Sequence, residues 1–148
     1  MENIDHRTLA AALYNSCWEL LEQGSRTADD DARLLGNAFA SRYHWNQFGV
    51  AQNDVIADWM VSRAAAVTGY GSLAVDFALR AVAGASDPAS ADWLVASAAE
   101  GLARAYDAVG DTALRNEWCQ RAERLVAAIS DDEDRAIIAD QLADLLRS

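Results

Sequence analysis

A small residue stands seven places before a glycine and nineteen places before a second small residue, and this spacing occurs three times in the chain. Ala103, Gly110 and Ala122 form one set, Ser62, Gly69 and Ala81 another, and Cys17, Gly24 and Gly36 a third. Two antiparallel helices approach closely only where their facing side chains are small. A glycine after the first helix supplies the left-handed residue with which many helices end. The spacing therefore predicts three helix pairs, each turned at a glycine and each seamed by small residues.

The rest of the chain agrees with helix. It has a single proline, Pro88, little alternation of Val, Ile and Thr, and abundant Ala, Leu, Arg and Glu, the residues that most favour helix. A length of 148 residues with 52% hydrophobic content fits one ordinary domain with a real core, spanning 1–148. No apolar run approaches the roughly 20 residues of a membrane span. The start, Met1-Glu2-Asn3-Ile4-Asp5, lacks the basic and apolar segments of a secretory signal. A cytoplasmic protein is expected.

The formal charge of −11 argues against nucleic acid as a partner, because phosphates require clustered cations and the twelve basic residues are scattered singly. All twelve are arginine. With so much alanine, that bias is what a GC-rich bacterial genome produces. Cys17 and Cys119 lie within helical patterns and outside any CxxC or Cys-His spacing, so they read as reduced core residues and not as zinc ligands.

Seven helices can be placed. They run from about Asp5 to Gln23, Thr27 to Phe48, Asn53 to Thr68, Ser72 to Gly84, Asp87 to Val109, Thr112 to Ala128, and from Ser130 onward. The helix pairs cover about 5–48, 50–86 and 87–129, with a last helix at 131–147. Thr27 followed by Asp29, Asp30 and Asp31 is a helix start, with carboxylates at the positive end of the dipole. Asp87-Pro88 reads as a cap with proline at the first helical position, and Ser130 with Glu133 as a capping box.

The segment Leu102-Ala103, Tyr106, Gly110-Asp111, then Cys119 and Ala122, resembles the tetratricopeptide repeat (TPR) family. A second copy supplies Val61-Ser62, Ala65, Gly69, Ala74, Ala78 and Ala81, and a degenerate first copy supplies Ser16-Cys17, Leu20, Gly24 and Gly36. The glycines are farther apart than the usual repeat of about 34 residues, and Arg115 stands where the family prefers alanine. The resemblance implies an all-α, right-handed stack of antiparallel helix pairs with a C-terminal capping helix.

It also implies that binding side chains come from the first helix of each pair, on the concave face. Transferred here, those positions are Tyr14, Trp18 and Glu22, then Ile56, Trp59, Arg63 and Val67, then Ser97, Glu100, Arg104 and Asp107. Tyr14, Trp18 and Trp59 offer aromatic surface, and Arg63 and Arg104 can hold a carboxylate or phosphate bidentately. The plainer alternatives are tryptophan wedges between helix pairs and a surface ion pair between Glu100 and Arg104, four residues apart.

Ser41-Arg42-Tyr43-His44-Trp45-Asn46 groups several functional side chains. Ser41 and His44 share a helical face and could hydrogen-bond, but neither an orienting carboxylate nor a nucleophile elbow accompanies them. His44 is expected to sit at a helix end, packed on a neighbouring pair, and is counted with the candidate binding residues, whereas His6 is expected to be solvated. The sequence thus points to a non-catalytic, cofactor-free module that binds a peptide or protein. The alternatives are a sensor of small molecules or a homodimerising unit.

Overall fold

The computed structural model describes residues 3–147. Among them are seven helices and no strand: α1 (His6–Leu21), α2 (Ala28–Phe48), α3 (Ala51–Val67), α4 (Gly71–Ala85), α5 (Asp92–Ala108), α6 (Thr112–Ala127) and α7 (Asp132–Arg147). None is long and apolar enough to cross a membrane.

Two of the three expected glycine turns form, and they form alike. Gly69 has φ 91° and Gly110 has φ 75°, the left-handed region that glycine enters without strain. At the first turn the Tyr70 N–H donates to the Ala65 carbonyl at 2.9 Å, and at the second the Asp111 N–H donates to the Tyr106 carbonyl at 3.0 Å. This six-to-one bond satisfies a carbonyl of the last helical turn. The seams close as the spacing predicts, with Ser62 2%, Ala81 1%, Ala103 0% and Ala122 0% exposed.

The first pair departs from the pattern. Gly24 has no positive φ, and α1 ends at Glu22 in the right-handed region. The connection to α2 covers 22–27, against 68–70 and 109–111 in the other pairs. The longer loop and the later start of α2 relative to its glycine displace the register. Gly36 consequently faces open space, with no atom within 4 Å of the position a Cβ would take. The small residues of α2 buried there are Ala38, 0% exposed, and Ser41, 1% exposed, and Ser41 donates to the Ala10 carbonyl at 2.9 Å. Cys17 lies 3.8 Å from the Leu34 carbonyl, much as Ser62 donates to the Ala74 carbonyl at 2.8 Å.

Thr27 and Asp30 form a reciprocal capping box at the start of α2. Two other expected starts shift. Asp87-Pro88 lies in a turn, where Asp87 Oδ1 accepts from the Ala89 N–H at 2.8 Å and its carbonyl accepts from the Ser90 N–H at 2.9 Å. An aspartate that folds back on the next residues makes an Asx turn, which competes with helix initiation, and α5 begins at Asp92 instead. At α7 the cap is Asp131, which accepts from the Asp134 N–H at 2.9 Å. Ser130 is diverted to Asp92 Oδ2, through its N–H at 3.0 Å and its hydroxyl at 3.1 Å.

The middle helices α3 and α5 carry the longest buried faces, and α1 packs on α3 as α3 packs on α5. The first helices of the three pairs therefore lie side by side as one layer. α7 packs across α5 and α6. Leu34, Met60 and Val61 anchor the core between the first two pairs, and Ile129, Leu142 and Leu145 anchor the core beneath α7. Cys17 and Cys119 are free and buried, and burial pushes the Cys17 thiol up to about 11.

Candidate functional site

Side chains four residues apart lie one above the other on a helix. Tyr14 and Trp18 on α1, Trp59 and Arg63 on α3, and Glu100 and Arg104 on α5 are three such pairs. Because α1, α3 and α5 form one layer, the six residues meet. The Trp18 and Trp59 rings are 5.8 Å apart, and the Arg63 guanidinium lies 5.3 Å from the first ring and 5.5 Å from the second. A cation held against two indole faces is a favourable arrangement.

Glu100 and Arg104 are not a surface pair. Glu100 is 0% exposed, and its Oε1 accepts from Arg104 Nε at 2.9 Å and Nη2 at 2.6 Å. Arg104 Nη2 also donates to the Gln141 carbonyl at 2.9 Å, which ties α5 to α7. The pair therefore works as an internal strut.

Arg63 is less well served. Its Nε and Nη1 are buried without a hydrogen-bond partner among the described residues, as are Glu100 Oε2 and the Trp59 indole nitrogen. Burial lowers the Arg63 pKa, and Arg104 lowers it further, while Glu100, Asp144 and Tyr14 act in the opposite direction. Burial likewise raises the Tyr14 hydroxyl. Arg63, Glu100 and Trp59 share a narrow seam between α3 and α5, with Gly101 at its edge. A Cβ on Gly101 would stand 2.8 Å from Trp59 Cδ1 and 2.9 Å from its indole nitrogen. Glycine is what lets the indole reach that depth.

In front of the two indoles opens a cavity of about 390 Å³. Tyr14, Trp18 and Trp59 form one wall, together with Ile56 and Ser97, which were also among the transferred positions. Trp45 from the end of α2 and Trp93 from the first turn of α5 add two more aromatic faces. α7 completes the enclosure with Asp134, Ile137, Ile138 and Gln141. Sequence reasoning missed Trp45, Trp93 and all of the α7 contribution. Trp93 had a signal, since it stands near a helix start, but α7 reads only as a cap.

Glu22, Val67 and Asp107, the outermost transferred positions, are exposed and away from this cavity. Asp107 pairs with Arg115 at 3.2 Å. That contact gives Arg115 a role at the position where the TPR pattern has alanine.

His44 belongs elsewhere. Its Nδ1 lies 2.9 Å from Nδ1 of His6, with the rings 5.1 Å apart, so one imidazole donates to the other. It thus packs within its own helix pair and not on a neighbouring one, and His6 is half-buried and bonded, not solvated. Ser41 gives its proton to the Ala10 carbonyl, so it makes no pair with His44. The reason is the burial of Ser41 on the α1–α2 seam, on the side of α2 that faces Ala10.

No protein-family model, curated protein or solved structure matches this chain.

Proposed function

We propose that the chain is a non-catalytic binding module, a short TPR-like right-handed stack whose concave face takes up a small organic ligand. The observation that carries this reading is the aromatic cavity of about 390 Å³, within the range of about 300–1,000 Å³ typical of small-molecule sites. It is preferred to the peptide reading because the aromatic residues of that face are withdrawn. Trp59 is 6% exposed and Trp18 half-buried, whereas an extended peptide needs a row of open aromatic side chains. The α7 helix, which a longer stack would replace with a further pair, serves here as the lid of the site.

A neutral fluorescent probe, N-phenyl-1-naphthylamine, tests the reading. The expected result is saturable one-to-one binding to the wild type and loss of binding in Ser97→Phe, whose ring would occupy the cavity. Leu79→Ser, at a position 45% exposed on α4 and outside the cavity lining, should bind the probe as the wild type does. Equal binding by Ser97→Phe would place the probe elsewhere and defeat the reading.

A further inference from the structure

The charge of the cavity wall narrows the ligand class, on the footing that the cavity is a binding site. Five aromatic residues face one space, and Asp134 is the one charged side chain among the residues that line it. No arginine or histidine joins them. Aromatic faces carry the negative end of a quadrupole, and several of them facing one space are suited to a positive charge. The fold already uses two of these indoles in that way, because Arg63 stacks on Trp18 and Trp59 at 5.3 and 5.5 Å.

The electrostatic surroundings agree. Asp131, Asp92 and Glu133 all act on Asp134 and raise its pKa, after burial, the largest cause. Arg135, its neighbour in sequence, is committed to Asp132 and, at 2.7 Å, to the Ile129 carbonyl. Arg63 is the nearest counter-argument, since its unpaired N–H groups would welcome an anion. Those atoms are buried in the seam between α3 and α5, Arg63 is not part of the cavity wall, and Glu100 and Asp144 oppose its charge.

We infer that the ligand is an organic cation with an apolar body, of the quaternary or tertiary ammonium class, held against Trp18, Trp45, Trp59 and Trp93 with Asp134 as its counter-charge. Beside the uncharged Asn53, Ser97 and Gln141, most of the remaining wall is Val55, Ile56, Leu94, Ala98 and the isoleucines of α7, which the apolar body matches. A small hydrated cation would gain nothing from these.

The test compares three probes by calorimetry: benzyltrimethylammonium, its neutral carbon isostere neopentylbenzene, and phenylacetate. The expected order places the cation about tenfold or more tighter than the neutral isostere, as a desolvated cation–aromatic contact allows, with the anion weakest. Asp134→Asn should bring the cation to parity with the isostere. The helix start survives this change, because the cap is the Asp131 carboxylate acting on the backbone of residue 134. Trp93→Leu, which leaves the cap untouched, should weaken the cation more than the isostere.

If the isostere binds as tightly as the cation, or phenylacetate binds best, the charge inference falls and the cavity reading stands. If none of the three binds, both fall. A cation preference undiminished in Asp134→Asn overturns the assignment of the counter-charge.

Discussion

Replacing Gly101 by alanine sets two effects against each other. Alanine in a helix interior is favoured over glycine by about 1 kcal/mol. The new Cβ, however, would stand 2.8 Å from Trp59 Cδ1 and 2.9 Å from its indole nitrogen. An indole is rigid, and this one is backed by the Trp18 ring at 5.8 Å and by the Arg63 guanidinium. It cannot swing aside as a methionine would. Overpacking of this kind costs about 1–3 kcal/mol, so Gly101→Ala should be neutral to destabilised by about 2 kcal/mol once the helix gain is subtracted. Gly36→Ala isolates the other half of the argument. Gly36 is also inside a helix but faces open space, so it should stabilise by about 1 kcal/mol. Urea denaturation of both variants measures the difference. A Gly101→Ala protein as stabilised as Gly36→Ala would show that the Trp59 contact is not tight, and the account of how the indole is seated would be wrong.

Glu100→Gln leaves Arg104 and Arg63 without their buried counter-charge. Breaking a buried pair in this way costs about 3–5 kcal/mol, and a loss of unfolding free energy of that size is expected from urea denaturation. The Cys17 thiol, pushed up to about 11 by burial, should not react with a disulfide reagent at pH 8 in the native protein and should react promptly in urea. Since the native thiol stays protonated while the unfolded one ionises near its ordinary value, the Cys17 contribution to stability is intact below about pH 9 and is lost as pH rises toward 11. Asp134, whose pKa burial and its acidic neighbours raise, loses its charge at a higher pH than an ordinary carboxylate. Benzyltrimethylammonium affinity should therefore begin to fall on acidification above the usual carboxylate range, while neopentylbenzene affinity stays level in a parallel titration.

What the sequence makes legible here is whatever depends on neighbours close along the chain. Gly69 and Gly110 are visible because a helix end needs its left-handed residue at one place, and the seam residues follow at fixed distances. Tyr14, Trp18, Trp59, Arg63, Glu100 and Arg104 are named as a set only through the TPR resemblance, while helical spacing shows no more than that each of the three pairs shares one helix face. Gly24 misleads for a physical reason. A glycine after a helix need not adopt positive φ, and a longer loop then shifts the partner helix until Ser41 meets the seam. Asp87-Pro88 misleads because the same two residues that start helices also close Asx turns. The pairing of His6 with His44, and the closure of the cavity by α7, join residues far apart in the chain, and no local pattern announces them. For the same reason the sequence leaves Glu100 and Arg104 open between groove residues and a surface ion pair, and only the packing of α3 and α7 on α5 makes them an internal strut.

The central claim is that the cavity in front of Trp59 binds a ligand, and the tryptophans provide an internal control. Trp18, Trp45, Trp59 and Trp93 line the cavity, whereas Trp118 lies outside it on α6, with the Arg121 guanidinium 4.4 Å from its ring. A titration of nitrogen-15-labelled protein with benzyltrimethylammonium, followed through the indole N–H resonances, reads all five at once. The account predicts saturable shifts of the four cavity indoles with one common dissociation constant and a stationary Trp118 signal. Shifts led by Trp118, or five signals that move neither with benzyltrimethylammonium nor with neopentylbenzene or phenylacetate, would contradict it.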